Sequence, residues 1–339
     1  MGRISDDIDI AVITPPADTM ALTEGAGLRA APTGLDHGVV TVIVDGAPFE
    51  VATLRRDVAT DGRRAVVAFT DRVEEDAERR DFTMNALYAD ADGLVLDPLG
   101  GGLCDLQNRR IRFIGDARLR LREDYLRILR FFRFHAQFAI SDFDADGLSA
   151  CMAERDGLDV ISAERIGAEM KKLLASPDPG PALTTMEPIL TQILPGASWS
   201  KELLGDEAAL NLRPDALRRL ASLGAETTDR LRLSNAERDY LQKIEASRRM
   251  SVDEAAYRYG ADAAFDMTAL QLKGEKPPAD LRDRIEFGAS ARFPVTARHL
   301  MDRGMTPGPD LGAALKALEA RWIAEGFAPT REALLSGLD

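Results

Sequence analysis

Apolar and polar positions alternate through the first third of the chain and then change to a helical period. Ile8-Asp9-Ile10-Ala11-Val12 has the two-residue repeat of a strand. Residues 39–44 form a β-branched run and residues 49–54 follow it. Asp45-Gly46-Ala47-Pro48 between them is a hairpin signal, because glycine accepts the positive φ of a tight turn. Residues 65–69 and 94–96 are further short apolar runs, the second leading into Asp97-Pro98 and Gly100-Gly101-Gly102. Residues 116–138 carry leucine, isoleucine and phenylalanine at the spacing of one long helix. Ser162 is placed as the N-cap of another, with Ile166, Met170, Leu173 and Leu174 on one face. Beyond Pro179 the pattern is of helices broken at Pro277-Pro278 and Phe293-Pro294, since proline lacks an N–H and restricts the residue before it. The outline is a mixed α/β head followed by an all-helical remainder.

Composition narrows the classes. The 339 residues are 45% hydrophobic and 29% charged, a globular balance, and carry a net charge of −13. No apolar run reaches the roughly 18 residues that a membrane helix needs. The opening Met-Gly-Arg-Ile-Ser-Asp-Asp turns acidic without an apolar core, so no signal peptide is expected. Cys104 and Cys151 are the only cysteines and form no zinc pattern; a reducing cytoplasm is the expected location. The acidic total argues against indiscriminate nucleic-acid coating but leaves room for a local basic groove. Such a stretch exists. Residues 109–133 hold nine arginines against three acids, a patch suited to a triphosphate or an RNA backbone.

Two groups of residues carry chemistry. Asp7 and Asp9 lie two apart, so on a strand they share a face, and two carboxylates on one face call for cationic compensation. Mg²⁺ suits carboxylate plus phosphate oxygens, and Glu50 on a later strand is a candidate third carboxylate. This cluster fits metal-assisted nucleotidyl transfer. The second group is Asp124, Arg127, Arg130 and Arg133, which recur every three residues. A carboxylate only accepts hydrogen bonds and a guanidinium only donates them. Side by side, Asp124 and Arg127 match the amino donor and ring-nitrogen acceptor of cytosine or adenine and oppose the carbonyl and N–H of uracil or guanine. Phe131, Phe132, Phe134 and Phe138 read as core rather than as base-stacking platforms.

The motifs Asp7-Ile8-Asp9, TGLDHG (33–38), FEVATLRRD (49–57), RRDFTMNALY (79–88), DPLGGGLCDLQNRRIRFIGDA (97–117) and EDYLRILRFFRF (123–134) resemble the bacterial tRNA nucleotidyltransferase/poly(A) polymerase family, most of all its CCA-adding branch. Ser162-Ala163-Glu164-Arg165-Ile166 with Glu169 resembles a later helical motif of that family. The resemblance implies an α+β fold: a polymerase-beta-like nucleotidyltransferase head with a mixed sheet over residues 1–118, a helical neck over 119–180 that binds the base and RNA, and a helical body and tail over 181–339 that bind tRNA. It implies Mg²⁺ on Asp7 and Asp9, with Glu50 as third carboxylate, and nucleotide binding by Arg80, Asp124, Arg127, Arg130 and Arg133. The implied substrates are CTP, ATP and the tRNA 3′ end. Poly(A) addition, partial CC or A addition, and a non-catalytic tRNA-binding role are the alternatives. The family carries a Gly-Gly-x-x-Arg motif before its acidic pair, whereas six residues precede Asp7 here. The expectation is a start at an internal methionine, with the cradle-forming motif upstream of it.

Overall fold

The computed structural model describes residues 8–61, 64–140, 142–224 and 228–336. The chain divides into two compact units, Met1–Pro195 with Asp229–Arg232, and Gly196–Thr228 with Leu233–Asp339.

The first unit opens with strand β1 (Asp9–Val12), helix α1 (Pro16–Gly25) and strands β2 (Arg29–Gly34), β3 (Val39–Val44) and β4 (Ala47–Thr53). These strands form one sheet in the order β1-β4-β3-β2, with β1 parallel to β4 and the other pairs antiparallel. The β3–β4 hairpin turns through Asp45 and Gly46 at φ 51° and 84°. A two-residue connection needs this left-handed backbone at both positions to match the strand twist. Val40, Val42 and Val51 are buried on one face, packed with Val12 and with Met20 of α1. The opposite face bears Asp9, Glu50 and Thr41 in one row across three strands.

Strands β5 (Arg55–Asp61) and β6 (Arg64–Phe69) make a separate antiparallel pair, followed by α2 (Val73–Glu78), the short β7 (Tyr88–Ala89) and β8 (Val95–Leu96), and α3 (Gly102–Gln107). Helices α4 (Ala117–Glu123), α5 (Leu126–Phe138), α6 (Ala145–Ala153), α7 (Ala163–Leu174), α8 (Gly180–Thr185) and α9 (Glu187–Ile193) complete the unit. Phe131 and Phe132 are fully buried, and Phe131 lies against Phe82, Phe113 and Phe143. These phenylalanines are core, as expected.

Three differences from the sequence reading have physical reasons. The long helix expected over 116–138 is two helices. Asp124 leaves helical geometry at φ −157° and ψ 102°, and its Oδ1 accepts the Leu126 N–H at 3.1 Å. A short acidic side chain that bonds nearby backbone competes with the helix. Helix α1 was missed because its buried face is Pro16, Thr19 and Thr23, which show no apolar period, while Leu22 points to solvent. Strand β5 was missed because Arg-Arg-Asp-Val-Ala-Thr-Asp has no apolar alternation.

The second unit is helical: α10 (Glu202–Ala209), α11 (Ala216–Ser222), α12 (Asn235–Ser247), α13 (Val252–Tyr259), α14 (Ala261–Leu272), α15 (Leu281–Ser290), α16 (Ala297–Met301), α17 (Pro309–Ala324) and α18 (Arg331–Leu335). The expected breaks at Pro277-Pro278 and Phe293-Pro294 separate α14 from α15 and α15 from α16. One core gathers around Met267, Leu272 and Ile285, another around Leu300, Trp322 and Leu334. Within the unit, Arg218 and Arg219 are buried against Glu207 and Asp266, two cations matched to two anions.

Helix α7, which braces α5, meets the returning segment at Leu231 with no room to spare. A Cβ on Gly167 would stand 2.0 Å from the Leu231 carbonyl oxygen. Gly167→Ala is expected to destabilise the first unit by about 1–3 kcal/mol, the usual cost of overpacking. Thermal denaturation checks this; an unchanged Tm would contradict the close approach.

Candidate active site

The acidic corner forms where β1 pairs with β4. Asp9 and Glu50 are direct register partners on neighbouring parallel strands, so their side chains leave the same face, and both are exposed. Thr41 continues the row on β3 and its Oγ1 lies 2.8 Å from Thr33 Oγ1. Asp7 lies outside the described residues. Like charges directly opposite each other repel. Hard carboxylate oxygens on an open face, with space for water and phosphate, are the donor set a divalent cation takes. Among the described residues no group of three or more His, Cys, Asp or Glu gathers at one point.

The arginine corner is organised by Asp76 on α2. Helical spacing brings Arg79 and Arg80 back to it, three and four residues on. Asp76 Oδ1 accepts from Arg79 Nε at 2.9 Å and from the Arg55 N–H at 3.2 Å. Oδ2 accepts from Tyr88 Oη at 2.6 Å and from Arg80 Nε and Nη2 at 3.3 and 3.2 Å. Burial alone would raise the Asp76 carboxyl, but the Tyr88 hydrogen bond and the Arg79 charge hold it below the ordinary 3.8. Tyr88 is pushed up to about 12 by burial and by its bond to Asp76, so it stays a donor at neutral pH. Burial and the neighbouring Arg79 depress Arg55, whose Nε and Nη1 have no hydrogen-bond partner among the described residues. Two guanidinium groups and the Arg55 main-chain N–H thus converge on one carboxylate, a surplus of positive charge suited to an anion.

The four residues of the every-third-position run each face a different partner. Asp124, at the α4–α5 break, is held by Arg165 of α7, Nη1 to Oδ1 at 3.2 Å and Nη2 to Oδ2 at 2.7 Å. Arg127 does not touch the Asp124 carboxylate. Its Nη1 donates to Glu123 at 2.5 Å and to the Arg120 carbonyl at 2.7 Å, and its Nη2 to the Arg79 carbonyl at 3.3 Å. Arg120 also pairs with Glu123 and donates to the Arg80 carbonyl. Arg130 pairs with Asp81 at 2.6 Å and keeps part of its surface open. Arg133 differs from the expectation that it steadies phosphates. Its side chain is only 9% exposed, with Nε on Glu169 at 2.6 Å and the guanidinium over Phe134, so it ties α5 to α7. A polar cavity of about 410 Å³ opens beside this network, lined by Arg56, Asp57, Glu75, Arg79, Arg120 and Glu123.

Sequence reasoning missed the supporting acids. Asp81 stands inside the RRDFTMNALY motif and Glu123 inside EDYLRILRFFRF, and Asp76 just before the first of them, yet the sequence gives none of the three a partner. Arg165 was noted as part of a motif without a contact; its signal was only the neighbouring serine cap.

Two measurements follow. In metal-free buffer Asp9→Asn relieves the repulsion with Glu50 and is expected to stabilise the sheet by about 0.2–1 kcal/mol. The same variant should lose the Tm increase that a divalent cation gives the wild type; an equal metal response in both would argue against a cation site here. Asp81 behaves like Asp76: burial opposes ionisation, yet the Arg130 charge and hydrogen bonds from Asn85 and the Phe82 N–H lower its pKa. Lowered folded values make these carboxylates stabilising above the unfolded pKa, and that stability is lost as pH falls through the folded values. Thermal scans should therefore be level near neutrality and fall below about pH 4. Asp81→Asn should show a lower Tm at pH 7 and a shallower acid slope.

The family model described as the poly A polymerase head domain matches residues 1–112. The mitochondrial CCA tRNA nucleotidyltransferase 1 of Danio rerio is 32% identical over 366 residues, covering 99% of this chain and 84% of that relative. The CCA-adding enzyme of Streptococcus pyogenes is 33% identical over 362 residues, covering 96% of this chain and 86% of the relative. The crystal structure of the Bacillus stearothermophilus CCA-adding enzyme in complex with CTP superposes with a TM-score of 0.76 at 28% identity, over 98% of this chain and 87% of that one. The Thermotoga maritima CCA-adding enzyme complexed with tRNA shares the fold at 18% identity and a TM-score of 0.66. The α+β fold read from the motifs is borne out by these likenesses, and enzymes of this family generally use a divalent metal. With an acidic pair on the head sheet, guanidinium groups held on Asp76, and relatives 32% and 33% identical matched over 84% and 86% of their length, the chain belongs to the CCA-adding tRNA nucleotidyltransferase family.

Proposed function

We propose that this chain adds C, C and A to the 3′ end of tRNA from CTP and ATP, releasing pyrophosphate, with protein side chains in place of a template strand. The observation that supports the reading is the helix break at Asp124, where Arg165 fixes the Asp124 carboxylate as an acceptor and Glu123 fixes the Arg127 guanidinium, three residues on, as a donor. Among the described residues Asp124 Oδ2 has one partner, Arg165, which leaves a lone pair for the exocyclic amino group of cytosine or adenine. Arg127 commits three N–H groups to Glu123, Arg120 and Arg79, which leaves Nε–H and one Nη2–H for ring-nitrogen and carbonyl acceptors. Uracil and guanine present the opposite polarity at the same edge.

Arg80, with Arg79 and Arg130 nearby in the same network, supplies positive charge for the triphosphate. Asp7, Asp9 and Glu50 would hold Mg²⁺, which when bound supplies charge that sharpens the attacking hydroxyl and stabilises the transferring phosphate. The ribose 3′ hydroxyl gives its proton to water as its oxygen forms a bond to the α-phosphorus, the bond to the bridging oxygen breaks, and pyrophosphate leaves with that electron pair. No side chain becomes covalently linked, so the protein's work is positioning and charge placement. No helix among the described residues is long and apolar enough to cross a membrane. The reaction needs tRNA, CTP and ATP in one compartment, and for this chain we take that to be the cytoplasm.

The test is incorporation into tRNA ending at the discriminator base. CTP alone should give two additions, and CTP with ATP should give CCA. Long A tracts on unrelated RNA would point to poly(A) polymerase, and tRNA binding without any metal-dependent incorporation would point to a binding protein. Asp9→Ala should abolish incorporation and keep tRNA affinity. Asp124→Ala and Arg127→Ala should each lose about 1–3 kcal/mol of discrimination against UTP, since each removes one half of a two-point base contact. Unchanged discrimination would remove these residues from base reading.

A further inference from the structure

We infer that Tyr88, acting together with Asp76, is a positioning residue that aims Arg80 at the nucleotide, a role resting on the proposed nucleotidyl transfer. Three observations support it. Asp76 is 2% exposed, and among the described residues its Oδ2 is shared by Tyr88 Oη and the Arg80 guanidinium. Tyr88 holds Arg80 a second way: Arg80 Nε donates to Tyr88 Oη at 3.2 Å, and the guanidinium carbon stands 5.0 Å from the centre of the Tyr88 ring. Arg80 Nη1 donates to the Asn85 carbonyl at 3.2 Å. The long side chain is therefore fixed along its buried edge, while a third of its surface stays open.

The physical consequence is pre-organisation. A free arginine must give up rotamer freedom when it meets a phosphate, and that loss weakens binding. Here the loss is already taken in folding. Tyr88 reaches Asp76 from β7, an element separate from the α2 turn that carries Asp76 and Arg80. The tyrosine hydroxyl is both donor to Asp76 and acceptor from Arg80, which a phenylalanine cannot be. The base-reading side chains lie on a different set of bonds. Arg127 is held by Glu123 and by main-chain carbonyls, and Asp124 by Arg165. Loss of Tyr88 Oη should therefore weaken CTP and ATP alike and leave the choice of base intact.

A double-mutant cycle tests this, using equilibrium CTP and ATP binding to the full chain with Mg²⁺ and, in parallel, KM and kcat for incorporation. Tyr88→Phe should raise both Kd values and both KM values about fivefold, in line with the loss of hydrogen bonds to charged groups, with kcat within about twofold. Asp76→Asn should act in the same direction and more strongly. In an Arg80→Met background Tyr88→Phe should add less than about twofold, because the residue it acts through is gone. The ratio of CTP to UTP use should stay at the wild-type value. Tyr88→Phe removes no charge and leaves a ring of the same shape, so it keeps the test open if Asp76→Asn fails to fold. Multiplicative effects of Tyr88→Phe and Arg80→Met, or Kd values for Tyr88→Phe within twofold of wild type, overturn the inference while leaving the functional reading standing. A wild-type chain that binds neither CTP nor ATP overturns that reading, and this inference with it.

Discussion

Asp124 stands between α4 and α5 in an extended conformation, with one carboxylate oxygen capping the next helix and both oxygens gripped by Arg165. Without that interruption the residue would be one more polar position on a long helix, free to rotate among rotamers. The break turns it sideways and the guanidinium locks its plane. Tyr125, next in the chain, lies so close over Gly157 that a Cβ there would meet its ring at 2.1 Å. The turn is thus held from three directions: by backbone capping, by a two-point ion pair and by a ring seated on bare main chain. In the proposed base reading this rigidity is what selects, because an acceptor that could swing would accept any edge.

Charge is distributed on the same principle. The cationic stretch is a set of assigned partnerships rather than a diffuse cloud. Arg79 and Arg80 belong to Asp76, Arg127 and Arg120 to Glu123, Arg130 to Asp81 and Arg133 to Glu169. Each acid fixes where a guanidinium points and leaves some of its donors unused. Arg133 marks the limit of the scheme: buried with Glu169, it serves the α5–α7 packing instead of a ligand. The Asp9–Glu50 row is the opposite case, two like charges set together on an open face and left to be neutralised from outside.

The motifs made the fold class and the family legible, because the chemistry of nucleotidyl transfer demands particular residue types at short spacings. Strand β1 could be read from its two-residue apolar repeat, and the β3–β4 hairpin from a tight turn in which two residues must accept positive φ. Helix α1 could not, since threonines fill its buried face. Nor could the partners of Asp124 and Arg127 be read, since a spacing of three suggests that they meet each other, while the broken helix sends them to Arg165 and Glu123.

The order of residues set which side chains are present to do the chemistry: acids on a strand, an aspartate and arginines at helical spacing, and phenylalanines enough for a core. Local rules of period, capping and turn geometry act over a few residues, and they were sufficient for that. Which of them pair is settled by folding. Asp76 meets Tyr88 twelve residues away and Asp124 meets Arg165 forty-one residues away. Those contacts arise from packing of separate elements, and no pattern along the chain encodes the distance between two residues that the fold alone brings together.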